Sequence, residues 1–157
     1  MKTDDPTVID VLRRSMVARI ATLSHNGRPS ITPLYFVHLT GRIWLGTPAW
    51  TLAARHVTAD PRVSLLFHVE RDASDQRVVR ISGRARVRTD RQARRSYALR
   101  AARKYVLTLG DVRDTLVHLR LLPIRRHYRA QSAAKGQSSV IEVIPERVEI
   151  LIDEKGG

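Results

Sequence analysis

The 157-residue chain contains no cysteine, so it has no disulfide framework, no thiol nucleophile and no cysteine-based zinc site. Aromatic residues are scarce at 5 %, and only four lysines occur among the 28 basic side chains. No apolar run approaches the roughly 20 residues that a membrane-spanning helix needs. The opening stretch, MKTDDPTVID, is acidic and lacks an apolar core, which is not the pattern of a secretory leader. A cytoplasmic protein with no membrane association is the expectation. The length is that of one domain, residues 1–157, and an apolar share of 43 % is enough for a real core.

Catalytic patterns are equally scarce. His25, His38, His56, His68, His118 and His127 are scattered, and none stands in a ligand spacing such as His-Glu-x-x-His. His38 and His68 fall at strand ends and read as solvated or hydrogen-bonded side chains. Acidic residues are few outside turns and caps, which excludes a paired-carboxylate hydrolase. Ser24, Ser30 and Ser64 lack a Gly-x-Ser-x-Gly context, and neither a Walker loop nor a Rossmann fingerprint occurs. The sequence offers no catalytic side chain and no metal site. If it encodes an enzyme, a cofactor supplies the reactive atoms.

What the chain does carry is positive charge. The formal net charge is +13, and the whole surplus lies between Arg77 and Arg129, where 16 basic residues face only Asp90, Asp111 and Asp114. Such a block is either a solvated surface or a patch for anions: nucleic acid, a phosphorylated cofactor or a polycarboxylate.

Asp5-Pro6 reads as a helix cap followed by proline at the first helical position, opening a short helix that ends near Ser15. Residues 18–23 and 29–38 read as two strands around Asn26-Gly27, a strong hairpin signal. A further strand runs to Thr47, and residues 51–59 read as a helix capped by Thr51. Residues 62–69 and 78–88 read as strands, the latter alternating Val79, Ile81, Gly83, Ala85 and Val87 with Arg80, Ser82, Arg84, Arg86 and Arg88. Thr89 or Asp90 caps a long helix whose apolar stripe is Ala93, Tyr97, Ala101 and Tyr105. A second helix is expected over 111–122 and a basic loop over 124–137. Two final strands, 138–144 and 147–152, flank Pro145-Glu146.

One segment suggests an anion site. Thr47-Pro48-Ala49-Trp50-Thr51-Leu52-Ala53-Ala54-Arg55 joins a strand end to a helix start, where outward-pointing amides favour phosphate. Thr47 and Thr51 would add hydroxyls and Arg55 a charged donor. An ordinary cap followed by a surface arginine fits the same residues.

Across most of the chain the motifs resemble the pyridoxamine-phosphate-oxidase-like superfamily, the flavin-binding split β-barrels. They are ARIATLSHNGRPSITPLYFV, GRIWLGTPAWTLAARHV, ADPRVSLLF, RISGRARV and SSVIEVIPERVEIL, in that order. The resemblance implies a mainly β fold: a six-stranded split β-barrel of Greek-key type, with flanking helices and a basic helical insert over about 91–137. It also implies a homodimer with cofactor sites at its interface. The ring of FMN or of the deazaflavin coenzyme F-420 would lie along Ile31, Thr32, Pro33, Leu34 and Tyr35. The cofactor's phosphate would meet Thr47, Thr51 and the helix start at Leu52 and Ala53, with Arg55 nearby, while Trp50 would stack on the ring or plug the interface. Relatives commonly carry Ser-x-Lys-x-Arg at this helix start. Here the pattern is Thr51-Leu52-Ala53-Ala54-Arg55, so Ala53 replaces the lysine and a point charge is lost.

Hydride transfer between that cofactor and a small organic substrate is the activity so implied. The alternatives are a split barrel that holds a flavin or haem without turnover, with His127 the nearest candidate haem ligand, and nucleic-acid binding through the basic insert. Against the last, Tyr97 and Tyr105 belong to the apolar stripe and do not interleave with the arginines.

Overall fold

The structure, a computed structural model, describes residues 1–108 and 138–152. Helix α1 (Pro6–Arg14) leads into strands β1 (Ala18–Leu23), β2 (Pro29–Leu34), β3 (Phe36–Leu39) and β4 (Arg42–Pro48). Helix α2 (Leu52–Ala59), β5 (Arg62–His68), β6 (Arg77–Arg88), α3 (Arg91–Thr108) and β7 (Ser138–Ile152) follow. The second helix and basic loop expected over 111–137 lie outside the described residues, as does His127.

The caps act as the sequence predicts. Asp5 accepts a hydrogen bond from the Thr7 amide at 3.0 Å, with Pro6 opening α1. The Thr51 hydroxyl accepts from the Ala54 amide at 3.4 Å at the start of α2. Asp90 accepts from the Ala93 amide at 3.1 Å and starts α3.

The strands form one antiparallel sheet in the order β2-β1-β5-β6-β7-β4-β3. Its two end strands, β2 and β3, are separated in sequence by Tyr35 alone. The sheet therefore curls until its ends meet through that residue, and the Gly46 amide of β4 donates to the Tyr35 carbonyl at 3.2 Å across the junction. The single strand expected over 29–38 is thus two, because one straight strand cannot pair with β1 and with β4 at opposite ends of the sheet. Seven strands result where six were expected; the difference is this bend. β2 also carries Pro29 and Pro33, whose missing amide protons an end strand tolerates.

A second correction concerns the last strand. Residues 138–152 form one strand along β6, not two, because the ladder continues past Pro145 through a bulge: Ser82 pairs with Arg147 but Gly83 with Pro145, leaving Glu146 extra. Gly83 permits this close approach, since a Cβ there would lie 2.1 Å from the Ile144 carbonyl oxygen.

Alternation sorts the side chains into two cores. Ile20, Phe36, Ile43, Leu45, Leu65, Phe67, Ile81, Ile141 and Val143 point inward, and Val8, Val11 and Leu12 of α1 and Ala53 and Val57 of α2 pack with them. Phe36 and Phe67 meet edge-to-face at 4.8 Å. Each such fully buried large side chain contributes about 1.5–3 kcal/mol. On the outer face Val37, Trp44 and Val140 pack under Ala93, Tyr97 and Ala101 of α3, the stripe read from the sequence. Gly46 makes room here, because a Cβ would lie 2.5 Å from the Tyr97 hydroxyl.

The arginine face of β6 is matched by its neighbours. Arg80 pairs with Glu149 at 2.7 Å, Arg84 with Glu146 at 3.2 Å and Arg86 with Glu142 at 2.6 Å. Arg42 also pairs with Glu142, whose carboxylate is buried. Burial pushes the Glu142 carboxyl up, but the hydrogen bonds and charges of Arg86 and Arg42 outweigh it and hold the group below its ordinary value.

Candidate functional site

Beside the bend lies a groove of about 480 Å³. One wall is the run from Thr32 through Pro33 and Leu34 to Tyr35; the other is the end of β4 and the first turn of α2, with Thr47, Thr51, Leu52 and Ala53. Val17, Gly46 and Pro48 complete it. Two segments that the sequence treats separately thus face one cavity. Of the remaining candidates, Ile31 is 68 % exposed and lies one residue before the wall. Trp50 and Arg55 are also exposed and flank the helix start without lining the groove.

The helix start supplies the polar groups. Leu52 and Ala53 are the first residues of α2, whose amides have no acceptor within the helix. The Thr47 and Thr51 hydroxyls are 2.8 Å apart, and Thr51 donates to the Pro48 carbonyl at 2.9 Å. Thr47 is fixed in turn by Ser139, whose hydroxyl donates to its carbonyl at 2.6 Å. No charged side chain lines this groove. Ala53, where the resemblance expects lysine, is 2 % exposed and belongs to the inner core.

The opposite wall is held by two tyrosines of α3. The Tyr97 hydroxyl donates to the Tyr35 carbonyl at 3.4 Å. The Tyr105 hydroxyl accepts from the Phe36 amide at 3.1 Å and lies 2.8 Å from the Met16 carbonyl. The Tyr35 and Tyr105 rings meet edge-on at 5.0 Å. Burial pushes the Tyr97 hydroxyl up to about 12 and raises that of Tyr105 as well, so both stay protonated far above neutral pH. Periodicity placed these residues on the buried stripe, but did not indicate that their hydroxyls tie down the bend.

A family model for pyridoxamine 5'-phosphate oxidase matches residues 5–152. The chain belongs to that family. The match spans α1 to the end of β7, so it includes both walls of the groove. No curated protein matches the chain. Among solved structures, a conserved hypothetical protein from Mycobacterium tuberculosis superposes with a TM-score of 0.69 at 20 % identity, covering 97 % of this chain and 86 % of its own. An F420 reductase gives 0.60 at 15 % identity, covering 89 % and 94 %. HupZ of Group A Streptococcus gives 0.57 at 15 %, covering 92 % and 90 %. At these identities the likeness establishes the split-barrel fold that this pyridoxamine 5'-phosphate oxidase family member shares with them.

Among the described residues, no group of three or more His, Asp or Glu side chains converges to hold a metal ion. No described helix is long and apolar enough to cross a membrane. His56 lies 3.0 Å from the Thr22 hydroxyl and His68 2.7 Å from Arg19, both ordinary structural contacts. His38 departs from its reading as a solvated strand-end residue, for its Nε2 is buried without a hydrogen-bond partner.

Proposed function

We propose that the groove binds FMN or coenzyme F-420 and that the protein transfers a hydride between this cofactor and a small organic substrate. The observation that carries the reading is the convergence of Thr32, Pro33, Leu34 and Tyr35 with Thr47, Thr51, Leu52 and Ala53 on one cavity. Family membership and the F420 reductase among the similar structures support it.

The residues fit such a group in kind. The amides of Leu52 and Ala53 and the hydroxyls of Thr47 and Thr51 would face the phosphate, and the strand from Thr32 to Tyr35 would lie along the ring. Bound there, the cofactor supplies the hydride chemistry that no side chain of the groove offers. The protein's part is to orient the ring on Pro33, Leu34 and Tyr35 and to exclude water with Val17, Leu52 and Ala53. With no cation in the wall, the phosphate is met by dipoles and hydroxyls, and Arg55 contributes from outside.

A second copy of the chain completes the site. Ile31, Tyr35, Trp50 and Leu52 are all large, apolar and 37–68 % exposed, and they surround the groove. Such a cluster marks a surface that is covered in use.

Fluorescence titration of cofactor-stripped protein with FMN and with F-420 tests the proposal. Saturable micromolar or tighter binding of one of them is expected. Binding of neither would overturn the redox reading while leaving the fold intact.

A further inference from the structure

A second cavity, of about 460 Å³, lies between α1, β3 and α3. It is separate from the groove: Tyr35 lines the groove, whereas Val37 and His38 line this one. Its size is that of small-molecule sites, which run to about 300–1,000 Å³. The walls divide by chemistry. Ile9, Leu12 and Val37 are aliphatic, and Leu12 and Val37 are each only 2 % exposed. The α3 side supplies Arg100, Arg103 and Lys104.

Those cations are not equivalent. The Lys104 amine donates to the Leu12 carbonyl at 3.0 Å and stands 3.4 Å over the Phe36 ring, so it is held inward, and burial lowers its pKa to about 7. Arg13, also on the rim, is hydrogen-bonded to Asp10 at 3.2 Å. No carboxylate pairs with Arg100 or Arg103 among the described residues, in contrast to the arginines of β6. The cavity thus combines an aliphatic floor with two guanidinium groups that no carboxylate pairs among the described residues.

We propose that this cavity binds a small carboxylic acid with an aliphatic tail, its carboxylate held by Arg100 and Arg103 and its tail laid along Ile9, Leu12 and Val37. Guanidinium groups suit a planar carboxylate, and three aliphatic walls would be wasted on a bare inorganic anion. The inference is independent of what occupies the groove.

Calorimetric titration with sodium octanoate, 1-octanol and sodium sulfate tests it. Saturable octanoate binding is expected, with octanol and sulfate at least 10-fold weaker. The double variant Arg100→Gln/Arg103→Gln should lose at least 10-fold in octanoate affinity with an unchanged Tm, both positions being exposed. Ile9→Asp, at a 41 % exposed position on the opposite wall, should do the same by setting a charge against the aliphatic tail, and it serves if the double variant fails to fold. Thr51→Ala, in the groove, should leave octanoate binding unaltered. The proposal is overturned if octanoate does not bind, if octanol or sulfate binds as well, if the arginine and Ile9 variants bind it equally, or if Thr51→Ala abolishes it.

Discussion

Thr47 and Thr51 stand 2.8 Å apart with the Thr51 proton committed to the Pro48 carbonyl, so an incoming phosphate must compete for hydroxyls that are already bonded. What it finds unused are the first amides of α2. This distinguishes Ala53 from a lysine at the same place: the helix dipole remains, but the point charge does not. The segment was recognisable in the sequence because a cap residue, a strand end and a basic residue one turn later form a local pattern. The hydroxyl contacts of Tyr97 and Tyr105 were not, because periodicity reports the face a residue occupies and not the atom its hydroxyl reaches. Away from the site, Asp75 bonds Arg77 through Nε at 2.8 Å and pairs with Arg14 at 2.8 Å. The hydrogen bond from Arg77 holds its carboxyl down at about 2 against the opposing effect of burial. A carboxyl lowered in the folded state stabilises at pH above its ordinary value near 3.8 and loses that contribution as the pH falls through about 2. The Tm difference between the wild-type chain and Asp75→Asn should therefore be full at pH 5–7 and vanish towards pH 2. A difference independent of pH would contradict the pairing.

Elements differ in how openly they announce themselves. The cap of α1, the turn at Asn26-Gly27, the alternation of β6 and the stripe of α3 are all local patterns, and each could be read directly. The bend at Tyr35 and the continuity of β7 could not, since both depend on what a strand pairs with. Pro145 looks like a strand end, yet the twelve residues of β6 extend the ladder past it and the bulge absorbs the misfit. Gly83 is the residue on which that arrangement turns. Gly83→Ala drives a Cβ into backbone that cannot swing aside, and a loss of about 1–3 kcal/mol is expected, as for other overpacked sites. Urea unfolding would measure it; wild-type stability in this variant would mean that the bulge does not form as described.

On the scale of the whole molecule, the +13 charge is less concentrated than the sequence suggests. Cross-strand carboxylates of β7 neutralise the β6 arginines, and the exposed surplus among the described residues moves to α3, at Arg91, Arg95, Arg100 and Arg103. Sequence spacing could not show this, because Arg86 and Glu142 are 56 residues apart and meet only through sheet register. The exposed apolar residues around the groove carry a different expectation. If a second copy covers them, the wild-type chain sediments as a dimer, and Ile31→Asp with Leu52→Asp yields a folded monomer with weakened cofactor binding. A monomeric wild-type chain would leave that face to another occupant.

We propose that the groove between β2 and the start of α2 holds the cofactor by its phosphate. The affinities of Thr51→Ala, alone and with Arg55→Ala, for FMN and F-420 beside those of the wild-type chain test this. Because the Thr51 hydroxyl must exchange its bond to the Pro48 carbonyl for one to the phosphate, its net worth is about 0.5–1.5 kcal/mol, so a fall of about 2- to 10-fold is predicted for Thr51→Ala, with a further loss from Arg55→Ala. Wild-type affinity in the double variant would contradict the account and move the phosphate away from this helix.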